Sequence, residues 1–208
     1  MTQDNSESFV IGAGGHAKVV IDTFINIGLP MPMLFDDEAH KDAATVLGLR
    51  INAPLPDLSE LPLKGHVAIG DNSARKKIGK MLVDSGKELL TLVNTKAYVS
   101  SLAELGAGSL VAAGAIIGPG ARIGDGVIVN HAAIIDHDCT VGDYSHIAPN
   151  VTLGGNVSVG AGVLVGSGAV VLKGINIGDN AVVGAGAVVT KNIPANVTVT
   201  GIPAKKIS

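Results

Sequence analysis

Three of the chain's six histidines and its only cysteine fall in one stretch, VNHAAIIDHDCTVGDYSHIAPN, residues 129–150. Imidazole and thiolate are zinc ligands, and an imidazole beside a carboxylate is a general base. His137 lies between Asp136 and Asp138. A neighbouring carboxylate fixes the tautomer and stabilises the protonated ring, which suits proton transfer near neutral pH. A second stretch, Gly12-Ala13-Gly14-Gly15-His16-Ala17, fits G-x-G-x-x-A, with Asp36 about 20 residues on. Between a strand and a helix, such a turn aims backbone N–H groups and the helix N-terminus at phosphate. An acidic side chain past the next strand then holds a ribose or a base edge. The bland alternative is a tight strand-to-helix turn, and the fingerprint alone does not decide. Each choice depends on where the side chains point.

The elements that aim them are set by a repeat. Aliphatic residues recur at every sixth position from Val93 through Val111, Ile117, Ile123, Val129, Ile135, Val141 and Ile147 to Val189. A small or aliphatic residue sits four places after each, as at Ala115, Ala121, Ala133, Cys139, Ser145 and Val151. A period of six matches neither a helix face nor one long strand. It is the hexapeptide pattern of a parallel β-helix, in which three hexads close one triangular coil. Coils stack ~4.8 Å apart, so the ~5 coils here make a prism on the order of 25 Å tall. The aliphatic slot and the slot four later point inward. Cys139 is therefore core, neither ligand nor nucleophile, since buried cysteine behaves as a small hydrophobe.

The slots two after each aliphatic position turn the corners, and residues 18 apart stack there. One column reads Pro119, His137, Gly155, Lys173; a second Asp125, Asp143, Ala161, Asp179; a third His131, Pro149, Ser167, Ala185. The acidic column reads as a solvated edge. His131 and His137 stand on different corners and cannot converge within one chain; only prisms packed side by side could bring them together. Gly155 lies one coil above His137, so its N–H could serve an oxyanion in acyl transfer. His146 precedes an inward slot and points outward from a face. A polar turn residue is the alternative for any single corner histidine. Prism-shaped carbonic anhydrases bind zinc at a chain interface with a histidine pair about five residues apart. Here the histidine spacings are six and nine, and no metal site is expected.

Residues 1–92 follow another rhythm. SFVIGAGG reads as a strand entering a glycine-rich turn, HAKVVIDTFINIG as a helix, MPMLFDD and HVAIGDN as strands, SARKKIGKMLVDSG as a helix, and ELLTLVN as a last strand entering the prism. AHKDAATVLGLRINAPLPDLSELPLKG reads as loop with a short strand. Alternating strands and helices imply a small parallel sheet, about half of a doubly wound nucleotide-binding fold. One nucleotide fits such a half better than a dinucleotide. The domains expected are 1–92, 93–193 and a C-terminal tail, 194–208.

Composition excludes other classes. The net charge is −3, without the basic excess of a nucleic-acid binder. A single cysteine allows no internal disulfide framework and fits a reducing compartment. MTQDNSES has neither a basic start nor an apolar run, so no signal peptide is visible, and no apolar stretch approaches the ~20 residues of a membrane span. A cytoplasmic location is expected. With 28 glycines, 47% hydrophobic residues and only 2% aromatics, the core must be Val, Ile, Leu and Ala.

GAGGHAKVV, FDD, VAIGDN, NHAAIIDHDCTVGDYSHIAP and the terminal GIPAK together resemble the bacterial left-handed β-helix sugar acetyltransferases. These modify nucleotide-linked amino sugars and are grouped with the sialic-acid O-acetyltransferases. The likeness runs along nearly the whole chain. It implies a small Rossmann-like N-terminal domain followed by a left-handed parallel β-helix, and a homotrimer with acetyl-CoA in grooves between prisms. It implies His137 as base, with Asp138 raising its basicity, where some relatives carry Glu. His146 and Gly155 match positions near the acetyl thioester, and Ser167 and Ala185 positions along the CoA arm. Gly14, Gly15, His16, Asp36 and Asp37 match the sugar-nucleotide site. His131 is assigned no role. The implied reaction is N-acetylation of a UDP- or GDP-linked 4-amino-4,6-dideoxy sugar. The alternatives are O-acetylation of sialic acid or another sugar hydroxyl, and a non-catalytic sugar-nucleotide-binding scaffold.

Overall fold

A computed structural model describes residues 8–38 and 44–207, so most of MTQDNSES and residues 39–43 lie outside the described residues. The chain divides into two compact units, Met1–Leu92 and Val93–Ser208.

The first unit is built on a six-stranded sheet of order β3-β4-β2-β1-β5-β6. Here β1 is Ser8–Ile11, β2 Met33–Phe35, β3 Thr45–Val46, β4 Leu49–Asn52, β5 Lys64–Val67 and β6 Glu88–Leu89. The β1 strand is buried throughout and pairs in parallel with β2 and β5, Val10 lying opposite Leu34 and His66. Burial on both faces is why it reads as an unbroken apolar run. Helix α1, Gly15–Ile27, buries Ala17, Val20, Ile21 and Phe24, the i, i+3, i+4, i+7 stripe of an amphipathic helix, and ends at the left-handed Gly28. Helix α2, Asn72–Asp84, starts at Asp71, whose side chain accepts the Ala74 N–H at 2.8 Å.

Two expectations differ from the fold. The segment read as loop with one short strand contains an antiparallel hairpin, β3–β4, whose second strand pairs in parallel with β2. Its turn is Leu47-Gly48, both with positive φ (48° and 81°), the backbone of a type I′ turn. Leucine seldom takes that conformation, so the residue pattern carries no signal for this turn. ELLTLVN is two strands: β6 extends the first sheet beside β5, and β7, Leu92–Val93, is the first rung of the repeat.

The second unit is a parallel β-helix. From β7 to β23, Val188–Val189, two-residue strands recur every six residues and sort into three sheets. The aliphatic and small slots fill the interior: Ala115, Ile117, Ala133, Ile135, Cys139, Ile147 and Val151 are fully buried. Each buried Val, Ile or Leu contributes about 1.5–3 kcal/mol. Cys139 sits among them, with Sγ 3.3 Å from the Gly154 carbonyl oxygen, and burial pushes its thiol pKa up. Ser145 occupies the equivalent slot one hexad later, donating to Gly160 O at 2.8 Å and accepting Val163 N–H at 3.0 Å. Beyond Pro194, β24 (Thr198–Thr200) pairs in parallel with β22 (Val182–Val183), and β25 (Lys205–Lys206) returns antiparallel on β24. No helix among the described residues is long and apolar enough to cross a membrane.

Candidate active site

His137 stands at the corner between β14, Ile134–Ile135, and β15, Thr140–Val141. The corner is fixed by backbone bonds to the coils on either side: Asp138 N–H donates to Pro119 O at 3.0 Å and Asn156 N–H to His137 O at 2.9 Å. Asp138 takes a left-handed φ of 58°, which aspartate tolerates. Its Oδ2 lies 2.8 Å from His137 Nδ1. Gly120, directly below, leaves the carboxylate room, since a Cβ there would lie 2.7 Å from Asp138 Oδ1. Asp136 Oδ1 accepts the His137 N–H at 2.7 Å. The hydrogen bond to Asp138, and then the charge of Asp136, hold the exposed His137 above the ordinary imidazole pKa of 6.5. With Nδ1–H donated to Asp138, Nε2 is the basic nitrogen.

Gly155 lies over that nitrogen. A Cβ built on it would fall on the His137 ring, within 2.6 Å of Cε1 and nearer still to Nε2. Only a residue without a side chain lets the ring sit this close beneath the next coil. His137, Gly155 and Lys173 line an open cleft of about 560 Å³. The amide of Gly155 differs from those on the acidic corner. There Asp125, Asp143 and Asp179 are exposed, yet each accepts an N–H from 18 residues earlier: Ala107 at 2.8 Å, Asp125 at 2.9 Å and Ala161 at 2.9 Å. The acidic edge is solvated, as its composition implies, and its carboxylates also form a ladder of caps. Above Gly155 the corresponding residue is Lys173, and among the described residues the Gly155 N–H donates to no protein acceptor. The corner offers a base and an open amide one coil apart, the two groups that acyl transfer from a thioester requires.

The other residues matched to acetyl-CoA lie elsewhere on the prism. His146 is half-buried on the outer side of β16, His146–Ile147, its Nε2 3.1 Å from Asn130 Nδ2. Ser167 and Ala185 are exposed on the next corner, where Gly186 N–H donates to Ser167 O at 2.9 Å. The stacking on that corner also includes His131, whose carbonyl accepts Asn150 N–H at 3.0 Å. Within one chain, His137 with Gly155 and Ser167 with Ala185 stay on separate edges.

In the first unit, the glycine-rich turn opens a cavity of about 520 Å³. Gly12 has φ 104°, and a Cβ there would lie 2.9 Å from Ala68 O, so only glycine lets the turn pass so close to the next loop. Gly14 and Gly15 are exposed at the start of α1, where Gly14 provides no side-chain cap. The helix N-terminus therefore faces the cavity, a favourable site for phosphate. His16 and Asp37 line the same space. Asp36 is buried, with Oδ2 accepting Ala13 N–H at 2.8 Å and Oδ1 accepting Glu38 N–H at 3.0 Å. It ties the turn to the end of β2, and the exposed Asp37 and Glu38 line the cavity beside it.

Sequence reasoning missed the far wall. Lys77 of α2 and Leu55 line the cavity, and buried Arg75 braces its second loop, donating to Ile69 O at 3.0 Å and Gly70 O at 3.1 Å. The usable signal was the Asp71 cap, which fixes the start of α2 and so the face it turns. Burial draws the His66 pKa down to about 4, and its neutral ring bonds Leu90 O at 2.9 Å, so it is a core histidine.

Comparison with known proteins assigns both units. Residues 8–82 match the PglD N-terminal domain, residues 120–155 the bacterial transferase hexapeptide (six repeats), and residues 156–191 the hexapeptide repeat of succinyl-transferase. The acetyltransferase domain of PglB from Neisseria gonorrhoeae, in complex with acetyl coenzyme A, is 36% identical. It superposes with a TM-score of 0.93 over 98% of this chain and 100% of that one. A histidine-to-alanine mutant of GDP-perosamine N-acetyltransferase from Caulobacter crescentus, in complex with CoA and GDP-perosamine, is 36% identical. Its TM-score is 0.89, with 97% of each chain covered. A curated relative, protein L142 of Acanthamoeba polyphaga mimivirus, is 34% identical over 104 residues, 50% of this chain; those residues span about 20% of that relative's length.

Proposed function

The chain belongs to the bacterial left-handed β-helix sugar acetyltransferases, and from that membership we propose that it moves acetyl from acetyl-CoA to the amino group of a nucleotide-linked amino sugar. The observation that carries the reading is the stack at one corner: Asp138 against Nδ1 of His137, and bare Gly155 against its Nε2.

Acetyl-CoA supplies an activated acyl group, so positioning and proton transfer account for most of the work left to the protein. Nε2 of His137 takes the proton from the attacking amine. Asp138 holds the tautomer that leaves Nε2 basic and stabilises the imidazolium that forms. The Gly155 N–H donates to the thioester oxygen as charge develops there; as the intermediate collapses the C–S bond breaks, and CoA leaves as the thiol with the proton that His137 took from the amine. The glycine-rich turn and α1 take the sugar nucleotide's phosphates, with Gly14, Gly15 and His16 on one side and Asp37 toward the base or ribose. Asp36 keeps the turn in shape. A GDP- or UDP-linked 4-amino-4,6-dideoxy sugar is the acceptor; the GDP-perosamine enzyme is a relative of that kind.

The acetyl-CoA set divides between two edges of one prism, so a complete groove needs a second copy. His137 and Gly155 of one protomer would face His146, Ser167 and Ala185 of its neighbour. Three prisms closing a ring give three such grooves, and a homotrimer is the assembly we propose. A cytoplasmic location, where acetyl-CoA is made, and a role in glycan biosynthesis follow from the same reading.

The test is thiol release from acetyl-CoA with a panel of GDP- and UDP-linked amino sugars and free sialic acid. Release with an amino-sugar nucleotide, and an amide in the product by mass spectrometry, is the expected result. Turnover with sialic acid alone would replace this reading by O-acetylation. No turnover with any acceptor would favour a binding scaffold.

A further inference from the structure

We propose that buried Arg75 is a positioning residue of the nucleotide cavity: it aims the backbone N–H groups of Gly70 and Asp71 as a second set of donors for the diphosphate, beside those of the glycine-rich turn. The inference rests on the sugar-nucleotide reading above and adds two donors and the group that aims them. Arg75 shares the inner face of α2 with Gly79 and Leu82, at i, i+4 and i+7, a place that packing alone would give to an apolar residue. It is 2% exposed. A guanidinium is costly to bury unless its donors are met. Nη1 donates to Ile69 O at 3.0 Å and to Gly70 O at 3.1 Å, and Nη2 donates to Asn72 Oδ1 at 2.8 Å. Two successive carbonyls therefore point inward at one nitrogen. The peptide bonds after Ile69 and Gly70 are trans, and in a trans peptide the N–H points opposite to the C=O. The N–H groups of Gly70 and Asp71 thus both point away from the guanidinium, and neither donates to a protein acceptor among the described residues. Ile69 and Gly70 line the cavity, and a Cβ built on Gly70 would meet nothing within 4 Å, so this side of the loop is open.

Successive N–H groups on one side of a loop form a concavity for anions. The cation behind them strengthens it, because each carbonyl bonded to a charged donor polarises its peptide and leaves the N–H end more positive. The carboxylate of Asp71 does not compete for these donors. It accepts Ser73 Oγ–H at 2.6 Å and Ala74 N–H at 2.8 Å, which turns it toward α2. The glycine-rich turn lies against the same loop: a Cβ on Gly12 would fall 2.8 Å from Ile69 Cγ1 and 2.9 Å from Ala68 O. On that turn Gly14 and Gly15, like Gly70, would carry a Cβ that meets nothing. Two touching turns, each with bare glycine at a shared cavity, fit two anionic groups joined by one bridging oxygen. A diphosphate has that form, and the nucleoside alone does not need it.

The experiment titrates GDP, UDP, guanosine and uridine into the full chain by calorimetry, as wild type and as Arg75→Met, with thermal melts to check the fold. The wild type should bind at least one of the two diphosphates. Arg75→Met should weaken that diphosphate by about tenfold or more and change the matching nucleoside by less than about twofold. In acetyl transfer its KM for the sugar nucleotide should rise, while its KM for acetyl-CoA stays at the wild-type value. In isotope-labelled wild type, the Gly70 and Asp71 amide protons should move downfield when the diphosphate is added and hold their place with the nucleoside. That measurement decides the matter where Arg75→Met does not fold. Equal losses of diphosphate and nucleoside, or amide protons that ignore the diphosphate, would overturn the proposal. A wild type that binds neither GDP nor UDP would instead sink the sugar-nucleotide reading, and this inference with it.

Discussion

Two corners of the same prism use the same backbone in opposite ways. Along the Asp125, Asp143 and Asp179 edge, carboxylates close the N–H groups one coil below. Along the His137 edge, Asp136 closes the N–H of His137, but the next amide up, at Gly155, is left open above the imidazole. The winding supplies one outward amide per corner per coil at fixed height. A side chain then decides whether that amide is a structural bond or a chemical group. An exposed aspartate 18 residues on makes it structural; a lysine there, over a glycine and a histidine, leaves it available.

The contrast can be broken most sharply at His137. His137→Ala should lower kcat by roughly 10²–10⁴-fold, the usual share of a general base. The melting temperature should barely move, because the ring is exposed and only the Gly155 backbone and the Asp138 carboxylate lie against it. Normal turnover by this variant would remove His137 from the mechanism. Gly155→Ala comes next. Its Cβ would land on the imidazole, so the ring must turn away, and a loss of about 10²-fold in kcat/KM is expected from the misplaced base. Full activity would mean that the stack at this corner does no chemistry.

A pH profile sharpens the same comparison. The base works when neutral, so kcat/KM should rise with pH through the His137 pKa, which lies above 6.5. Asp138 is the main cause of that elevation, so Asp138→Asn should move the rising limb to lower pH and reduce kcat by roughly tenfold through loss of the oriented tautomer. Asp136→Asn should shift the limb the same way by less. A limb that stays in place in both variants would break the pairing. On the opposite corner, Asp143→Ala should leave kcat unchanged and cost about 0.5–1.5 kcal/mol in urea unfolding, the worth of one cap. Smallest of all is Cys139→Ser. Ser145 already shows how a hydroxyl is satisfied in an equivalent slot, so stability should change by less than about 1 kcal/mol and activity not at all.

The period of six fixes much of this from the sequence. Once Ile135, Leu153 and Val171 are known to point inward, counting by 18 puts Gly155 over His137 and sends Cys139 to the interior. Each coil meets only its neighbours, so local pairing decides the register and no distant contact can override it. The first unit is less legible for the opposite reason. The hairpin after residue 44 turns on a left-handed leucine that only its place beside β2 sustains. Asp36 reads as a ligand residue; it lines the cavity and also braces its own turn, a second task that no residue pattern announces. Arg75 carries a charge, which predicts exposure, yet it is buried because three oxygen acceptors converge on it.

The sequence by itself determined the coil, its inward residues, the strand–turn–helix opening and the columns in which corner residues must stand. The tertiary structure alone decided which amides are capped, which way Asp138 faces, and which acidic side chain at the end of β2 braces the glycine-rich turn. The reason is physical. Repeat period and burial are averaged over many residues and survive any single exception. A hydrogen bond depends on one rotamer and a few tenths of an ångström, which only the packed chain sets.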